Sequence, residues 1–265
     1  MFIHNLNPVF INLGFFEIRW YSLAYIFGIL IGWWVAKKII IFKVKNKTIF
    51  FEIKLFDDLI SYIVISIILG GRIGYIVFYN FSYYFSNPID ILKIWEGGMS
   101  FHGAFIGVII GTYLFSKKLK INHFFFLDAV ACVAPLGIFF GRIANFINSE
   151  LYGKPSNFFW SVIFPKVDTI PRHPSQLYEA FLEGFVLFSI LIFLIFKKNI
   201  RIGMCSSLFM ILYGIFRILA EQFREPDIQI GYLFGLLSMG SVLSFVMILA
   251  GLLLFVKIKN NEIFK

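Results

Sequence analysis

Seven apolar runs of about 17 to 22 residues, separated by clusters of lysine, do most to limit what this chain can become. Each is long enough to cross ~30 Å of hydrocarbon as a helix, where every backbone N–H and C=O must be satisfied within the segment. A water-soluble fold would intersperse its charges. Here they collect between the runs, in a chain that is 59% hydrophobic and 20% aromatic, with mean hydropathy +0.84. The expectation is an all-α integral membrane protein with about seven transmembrane helices, forming a single polytopic membrane domain over residues 1–265. The spans are placed at about 18–36, 59–79, 103–115, 122–146, 177–196, 204–223 and 232–256.

Residues 1–19 alternate polar and aromatic, with no cationic start and no small-residue cleavage site, so they are expected to stay in the mature chain. Fifteen Lys and Arg follow spans one, three, five and seven, six lie on the other side, and Arg72, Arg142 and Arg217 fall within the runs. By the positive-inside rule the N-terminus is outside and the C-terminus cytoplasmic, which places the long loop at about 148–175 outside the cytoplasm. The net charge of +9 then speaks for anionic lipid headgroups, not for nucleic acid. Cys132 and Cys205 both sit in apolar runs and read as small core residues.

The costliest stretch is Gly141-Arg-Ile-Ala-Asn-Phe-Ile-Asn-Ser-Glu-Leu-Tyr-Gly153, where an apolar run ends. A charge at membrane depth costs at least ~2.5 to 3.5 kcal/mol, so an arginine there is a functional candidate. Snorkelling to the headgroups would also explain a lone Arg142, but Asn145, Asn148 and Glu150 accompany it. On a continuous helix Arg142, Asn145 and Ser149 share one face, with Glu150 beside them. Pro135 and Gly137 upstream would kink this span and re-aim Arg142. Span five carries Glu179 and Glu183 at i, i+4; span six places Tyr213, Arg217, Glu221 and Arg224 on one stripe. A purely structural pair would equally explain Arg217 and Glu221. His102 precedes a stripe of Gly103, Gly107 and Gly111, which reads as a helix-packing face. With the orientation above, His102, Arg142 and Glu221 all approach the outer leaflet.

Several chemistries do not fit. There is no Gly-x-Ser-x-Gly elbow, no His-Glu-x-x-His and no paired Asp run, so a site without metal or cofactor is expected. His123 and Asp128 have the His-x4-Asp spacing of some glycerolipid acyltransferases, but residues five apart on a helix diverge by ~140°. What remains is arginines, a histidine, carboxylates and amides in the outer half of a bilayer, a set suited to a phospholipid phosphate. Composition and spacing do not separate an enzyme acting on lipid from an anionic-lipid transporter with broken helices.

Four blocks carry a resemblance: Phe101-His-Gly103, Gly141 to Gly153, His173-Pro-Ser-Gln-Leu-Tyr-Glu179, and Arg217-x-x-x-Glu-x-x-Arg-x-Pro-Asp227. Together with Gly70-Gly-Arg-Ile-Gly-Tyr75 and Leu237-Ser-Met-Gly240, they resemble the signature blocks of the prolipoprotein diacylglyceryl transferases in order and spacing. Ala104, Ile218 and Ser241 depart from residues usual in that family. The resemblance implies a multi-pass enzyme of the bacterial cytoplasmic membrane. It would move the diacylglyceryl group of phosphatidylglycerol to the lipobox cysteine of a prolipoprotein, forming a thioether and releasing glycerol phosphate. It also implies that Arg142 and Arg217 hold the departing phosphate, that Asn145 and Glu150 fix Arg142 and the headgroup glycerol, and that Glu221 steadies Arg217. His102 is then the candidate base, with Glu150 its rival. Tyr25 and Tyr213 line the lipid pocket, and Gly153 falls among the substrate-contacting positions.

Overall fold

The computed structural model describes residues 2–14, 16–46, 50–197, 199–225, 232–233 and 237–260. Helix α1, Trp20–Lys45, runs about nine residues past the expected span end, because Ile39 and Ile40 continue the apolar run and are fully buried. Lys37 and Lys38 fold back over the rings of Trp33 and Trp34, at 5.0 and 3.6 Å from their centroids. Helices α2 (Asp57–Tyr79), α3 (Phe81–Ser86), α4 (Phe101–Leu119) and α5 (His123–Asn148) follow. Next comes a continuous helix over Ser175–Ile195, made of α6 (Ser175–Glu179), a π-helical segment (Ala180–Val186) and α7 (Leu187–Ile195). Helices α8 (Met204–Glu221) and α9 (Met239–Lys259) complete the set.

Among the described residues six helices are long and apolar enough to cross a membrane: Trp20–Lys45, Ile53–Val77, His123–Asn148, Ser175–Ile195, Met204–Glu221 and Gly240–Lys259. The chain is an all-α integral membrane protein that crosses the bilayer several times. The expected third span lies on α4, whose apolar stretch is cut short by Lys117 and Lys118.

The contacts divide into two compact units, Met1–Ile39 with Asp128–Lys265, and Ile40–Leu127. In the smaller unit α2 and α4 meet backbone to backbone. A Cβ added to Gly103 would lie 2.2 Å from the Gly70 carbonyl oxygen, and one on Gly107 2.2 Å from that of Ser66, so the glycine stripe serves packing. The loop after α2 folds around Arg72, whose guanidinium donates to the carbonyls of Asp90, Ile91, Lys93, Gly97 and Gly98 at 2.5 to 3.4 Å and rests over the Tyr84 ring.

In the larger unit β1 (Phe2–Ile3) pairs in parallel with β4 (Val162–Ile163), which pairs antiparallel with β5 (Pro171–Arg172). Strands β2 (Val9–Asn12) and β3 (Glu17–Arg19) form a hairpin leading into α1, and β6 (Tyr232–Leu233) pairs with β7 (Leu237–Ser238) ahead of α9. Helix α8 packs against α9 through Gly214 and Gly251, where an added Cβ would come within 2.6 and 2.8 Å of Ile248 and Ile211. Asp128 has a structural explanation. Fully buried, it accepts from the Gly203 and Ser206 amides and the Ser206 hydroxyl at 2.8 to 2.9 Å, satisfying the first turn of α8. Cys132 and Cys205 are free thiols in the core.

Candidate active site

The site is built where α5, the Ser175–Ile195 helix and α8 converge within the larger unit. Gly184 in the π-helical segment lets Phe139 of α5 approach so closely that a Cβ there would sit 2.7 Å from it. One turn further along α5, Arg142 directs Nε to Glu179 Oε2 at 2.7 Å, with Nη2 3.6 Å from Glu183 Oε2. From α8, Arg217 reaches Glu179 through Nη1 at 3.0 Å and Glu221 through Nη2 at 2.6 Å, with Glu183 Oε1 at 3.6 Å. Arg224, just beyond α8, adds a third contact to Glu179 at 3.4 Å. Glu179 and Glu183 are wholly buried, and Tyr213 is buried beside them.

Among the described residues, three arginines and three glutamates thus form one network with equal numbers of positive and negative groups. Taking each ion out of water costs several kcal/mol, which mutual attraction offsets only when the geometry is tight. It is uneven here. Glu179 lies 2.7, 3.0 and 3.4 Å from the guanidiniums of Arg142, Arg217 and Arg224, whereas Arg142 and Arg217 both stand off from Glu183 at 3.6 Å. The widened turn that carries Glu183 is of a kind frequent at functional sites. Gly240 borders the network: a Cβ there would be 3.1 Å from Glu221 Oε1 and 3.2 Å from Arg217 Nη2.

A second polar group lies at the end of α5. The helix stops at Asn148, and Ser149 and Leu151 both take left-handed backbone, with φ of 61° and 54°. Their turn brings Glu150 back toward the helix. Asn145 donates to the Tyr21 hydroxyl, and Tyr21 donates to Glu150 Oε2 at 3.2 Å. Asn145 and Asn148 also donate to the two carboxylate oxygens of Glu150 at 3.3 and 3.4 Å. Tyr25 stacks on Tyr21, with centroids 5.8 Å apart. Glu150 stays exposed, free to accept from a ligand hydroxyl.

Behind this turn stands a cap formed by residues 150–175. Gln176 donates to the Glu150 carbonyl at 2.6 Å and Ser175 to that of Leu151 at 3.0 Å, so the His173–Glu179 block clasps the Gly141–Gly153 block. Gly153 is where the chain crosses itself: its amide donates to the His173 carbonyl, and a Cβ would come within 2.4 Å of that oxygen and 2.6 Å of the Phe223 carbonyl oxygen. Packing therefore accounts for Gly153. Arg172 binds Asp168 at 2.6 Å, and this hydrogen bond holds the Asp168 carboxyl below its usual range. His173 contacts the Phe158, Tyr178 and Phe223 rings, and burial lowers its pKa.

Two expectations need correcting. Arg142 is not fixed by Asn145 and Glu150; carboxylates from the neighbouring helix take it, while the turn after Asn148 commits the Glu150 carboxylate to Tyr21, Asn145 and Asn148. Nor does Ser149 continue the Arg142 face, since the helix has ended and Ser149 turns to His4 Nδ1 at 3.1 Å. Arg142, Arg217, Glu221 and Tyr213 do come together. His102 is the second residue of α4, in the smaller unit, and its side chain lies outside the described set, as do Pro226 and Asp227. Among the departures, Ser241 sits at the start of α9 and its hydroxyl meets that of Ser238 at 3.1 Å, while Ala104 and Ile218 lie within α4 and α8. Tyr21, Glu179, Glu183 and Gln176 are the participants to which sequence reasoning gave no role. The acidic pair at i, i+4 in an apolar span was the available signal.

A family model described as "Prolipoprotein diacylglyceryl transferase" matches residues 8–257. Similar curated proteins bear the name phosphatidylglycerol–prolipoprotein diacylglyceryl transferase. The one from Rickettsia typhi is 50% identical over 263 residues, covering 98% of this chain and 100% of that protein. The one from Rickettsia rickettsii is 54% identical over 249 residues, 93% of this chain and 95% of its own. A third, from Rickettsia bellii, is 51% identical over 263 residues, 98% of each.

Proposed function

This chain belongs to the prolipoprotein diacylglyceryl transferase family, and from that premise we propose that it transfers the diacylglyceryl group of phosphatidylglycerol to the lipobox cysteine of prolipoproteins. The observation that carries the reading is the buried network in which Arg142 and Arg217 are preorganised by Glu179, Glu183 and Glu221. In the reaction the cysteine sulfur bonds to the terminal glycerol carbon of the diacylglyceryl group as the bond from that carbon to the phosphate oxygen breaks. The thiol proton leaves to a base, and glycerol phosphate departs as the anion.

Negative charge grows on that phosphate in the transition state. Donors already fixed in place stabilise it without reorganising, typically by ~2.7 to 4 kcal/mol for one donor. Arg142 and Arg217 are assigned to that oxyanion, the carboxylates keeping both guanidiniums oriented in the absence of lipid. Glu150, with Tyr21 and Asn145, is assigned to the hydroxyls of the headgroup glycerol. His102 is assigned as proton acceptor, because a thiol of pKa ~8.5 is mostly protonated at neutral pH. Tyr25 and Tyr213 are read as lining the acyl-chain path.

The proposal includes seven crossings of the bacterial cytoplasmic membrane as one polytopic domain, with the N-terminus and the 148–175 loop outside. The basic bias on alternate loops supports it. Purified protein in detergent, supplied with phosphatidylglycerol and a lipobox peptide, should yield peptide heavier by one diacylglyceryl group and resistant to thioester cleavage. Phosphatidylglycerol bound without thioether formation would instead support a lipid carrier.

A further inference from the structure

The N-terminal residues offer a group for which the reaction above has no use. His4 is 2% exposed, although the chain around it is mostly open. Its backbone amide donates to the Ile163 carbonyl at 2.9 Å, extending the β1–β4 pairing. Its ring is wedged between Phe146, at the end of α5, and Phe164, just after β4, with centroids 5.0 and 5.2 Å away. Nδ1 meets the Ser149 hydroxyl at 3.1 Å, and Nε2 is buried without a hydrogen-bond partner. An imidazole placed at such cost, with one nitrogen left unsatisfied, calls for a reason beyond filling space.

Ser149 supplies one. With φ of 61° it occupies a conformation that serine rarely adopts, and it is the residue that ends α5 and starts the turn back to Glu150. Without support the helix could continue through it, carrying Glu150 away from Asn145 and Tyr21. Gln176 and Ser175 hold the far side of the turn through the Glu150 and Leu151 carbonyls. On the near side His4 is the side chain that grips Ser149. We propose that His4 is a positioning residue for Glu150, holding Ser149 in the left-handed turn that aims the Glu150 carboxylate at the headgroup glycerol of the lipid substrate. The role rests on the assignment of Glu150 to that glycerol.

The test compares variants of the full-length protein in detergent, following thioether formation with phosphatidylglycerol and with phosphatidylethanolamine. His4→Phe keeps a ring between Phe146 and Phe164 but loses the bond to Ser149; His4→Asn keeps a short polar group that can restore it. Phosphatidylethanolamine has no headgroup glycerol for Glu150 to bind, so wild type should favour phosphatidylglycerol; for His4→Phe we expect KM for phosphatidylglycerol to rise about tenfold, KM for the peptide to stay put, and that preference to shrink. Ser149→Ala should do the same, and the double variant should be no worse than either single one, since both remove one contact. His4→Asn should recover most of the loss. Equal falls on both lipids, or additive single and double losses, would overturn the role of His4 and leave it a packing residue. Glu150→Gln separates the premise from the inference: if it leaves headgroup preference untouched, the glycerol assignment fails, whereas if it abolishes preference while His4→Phe does not, only the inference fails.

Discussion

Arg72 and Arg142 each put a guanidinium inside an apolar helix, and the fold treats them in opposite ways. Arg72 is 4% exposed and is met by five backbone carbonyls of one loop, dipoles that satisfy its donors without neutralising its charge. Arg142 is met by two carboxylates and shares them with Arg217. A cation saturated by carbonyls is a structural tie, since nothing is left to offer a ligand. A cation held by a carboxylate network, one member of which stands off at 3.6 Å, can redistribute its contacts when an anion arrives. Depth in the membrane marks a residue as expensive; what its partners are tells whether the expense serves folding or chemistry.

The sharpest way to break this contrast is to exchange each arginine for lysine. Arg142→Lys should lower thioether formation by about 10² to 10³, nearly as much as Arg142→Ala, because an ammonium cannot hold Glu179 and present a planar pair of donors to a phosphate. The amount of folded, membrane-inserted protein should change little for Arg142→Lys, since the charge that balances Glu179 and Glu183 is retained. Rates within a few fold of wild type for the lysine variant would return Arg142 to a snorkelling residue and remove the clamp.

Arg72→Lys should show the reverse pattern. Three rotatable donors cannot span five carbonyls, and a charge-assisted hydrogen bond is worth about 1.5 to 3 kcal/mol, so a loss of about 2 kcal/mol of stability is expected. Thermal unfolding in detergent should shift down by several degrees while the rate per folded molecule stays within about threefold. A rate loss comparable to that of Arg142→Lys with unchanged melting would place Arg72 in the chemistry and end the distinction.

Acid gives a smaller test of the same division. Burial lowers the pKa of His173, so between the ordinary histidine value of about 6.5 and its folded value the unfolded chain binds more protons than the folded one. Stability present above that window is lost as pH falls through it. The loop around Arg72 has no such group: the hydrogen bond from Lys93, with another from Tyr83, holds Asp90 below its usual range, and it stays ionised. Protection of the amides over 150–175, taken relative to the intrinsic exchange rate at each pH, should therefore fall from pH 7 to pH 5, while protection over 80–98 should not. An equal fall in both would mean that another group governs the cap.

Much of the architecture was legible because lipid leaves so few options. Apolar runs bounded by lysine became helices, and the Gly103, Gly107 and Gly111 stripe became the close contact of α4 with α2. The site was legible in its costs but not in its pairings. Arg142, Arg217 and Glu221 stood out as expensive residues, yet nothing in residue order told that Glu179 would sit among three guanidiniums, since that follows from which helices pack together. The break after Asn148 was hidden for a different reason. Serine carries no signal for left-handed backbone, and the turn depends on His4 and on Gln176, 145 and 27 positions away from Ser149. Arg72 shows the converse, a residue as costly as Arg142 whose carbonyl partners are invisible to any pattern of side chains.

The least effect is expected from a methyl group, and it probes the same contrast through glycine. Gly74 in the Arg72 unit is crowded: an added Cβ would lie 2.6 Å from Gly103, so Gly74→Ala must push α2 and α4 apart. Gly141, next to Arg142, has no described atom within 4 Å of the Cβ it lacks. Gly141→Ala should then stabilise the protein by about 0.5 to 1 kcal/mol, the usual gain for alanine over glycine inside a helix. Crowding is not the reason for this glycine. If lipid passes over that face to reach Arg142, the methyl group should raise KM for phosphatidylglycerol a few fold without touching KM for the peptide, so stability and activity would move in opposite directions. Melting and kinetics on one preparation decide it: a stabilised protein with unchanged lipid KM would take the substrate path off this face of α5, and a destabilised one would mean that the open space beside Gly141 is needed for the fold.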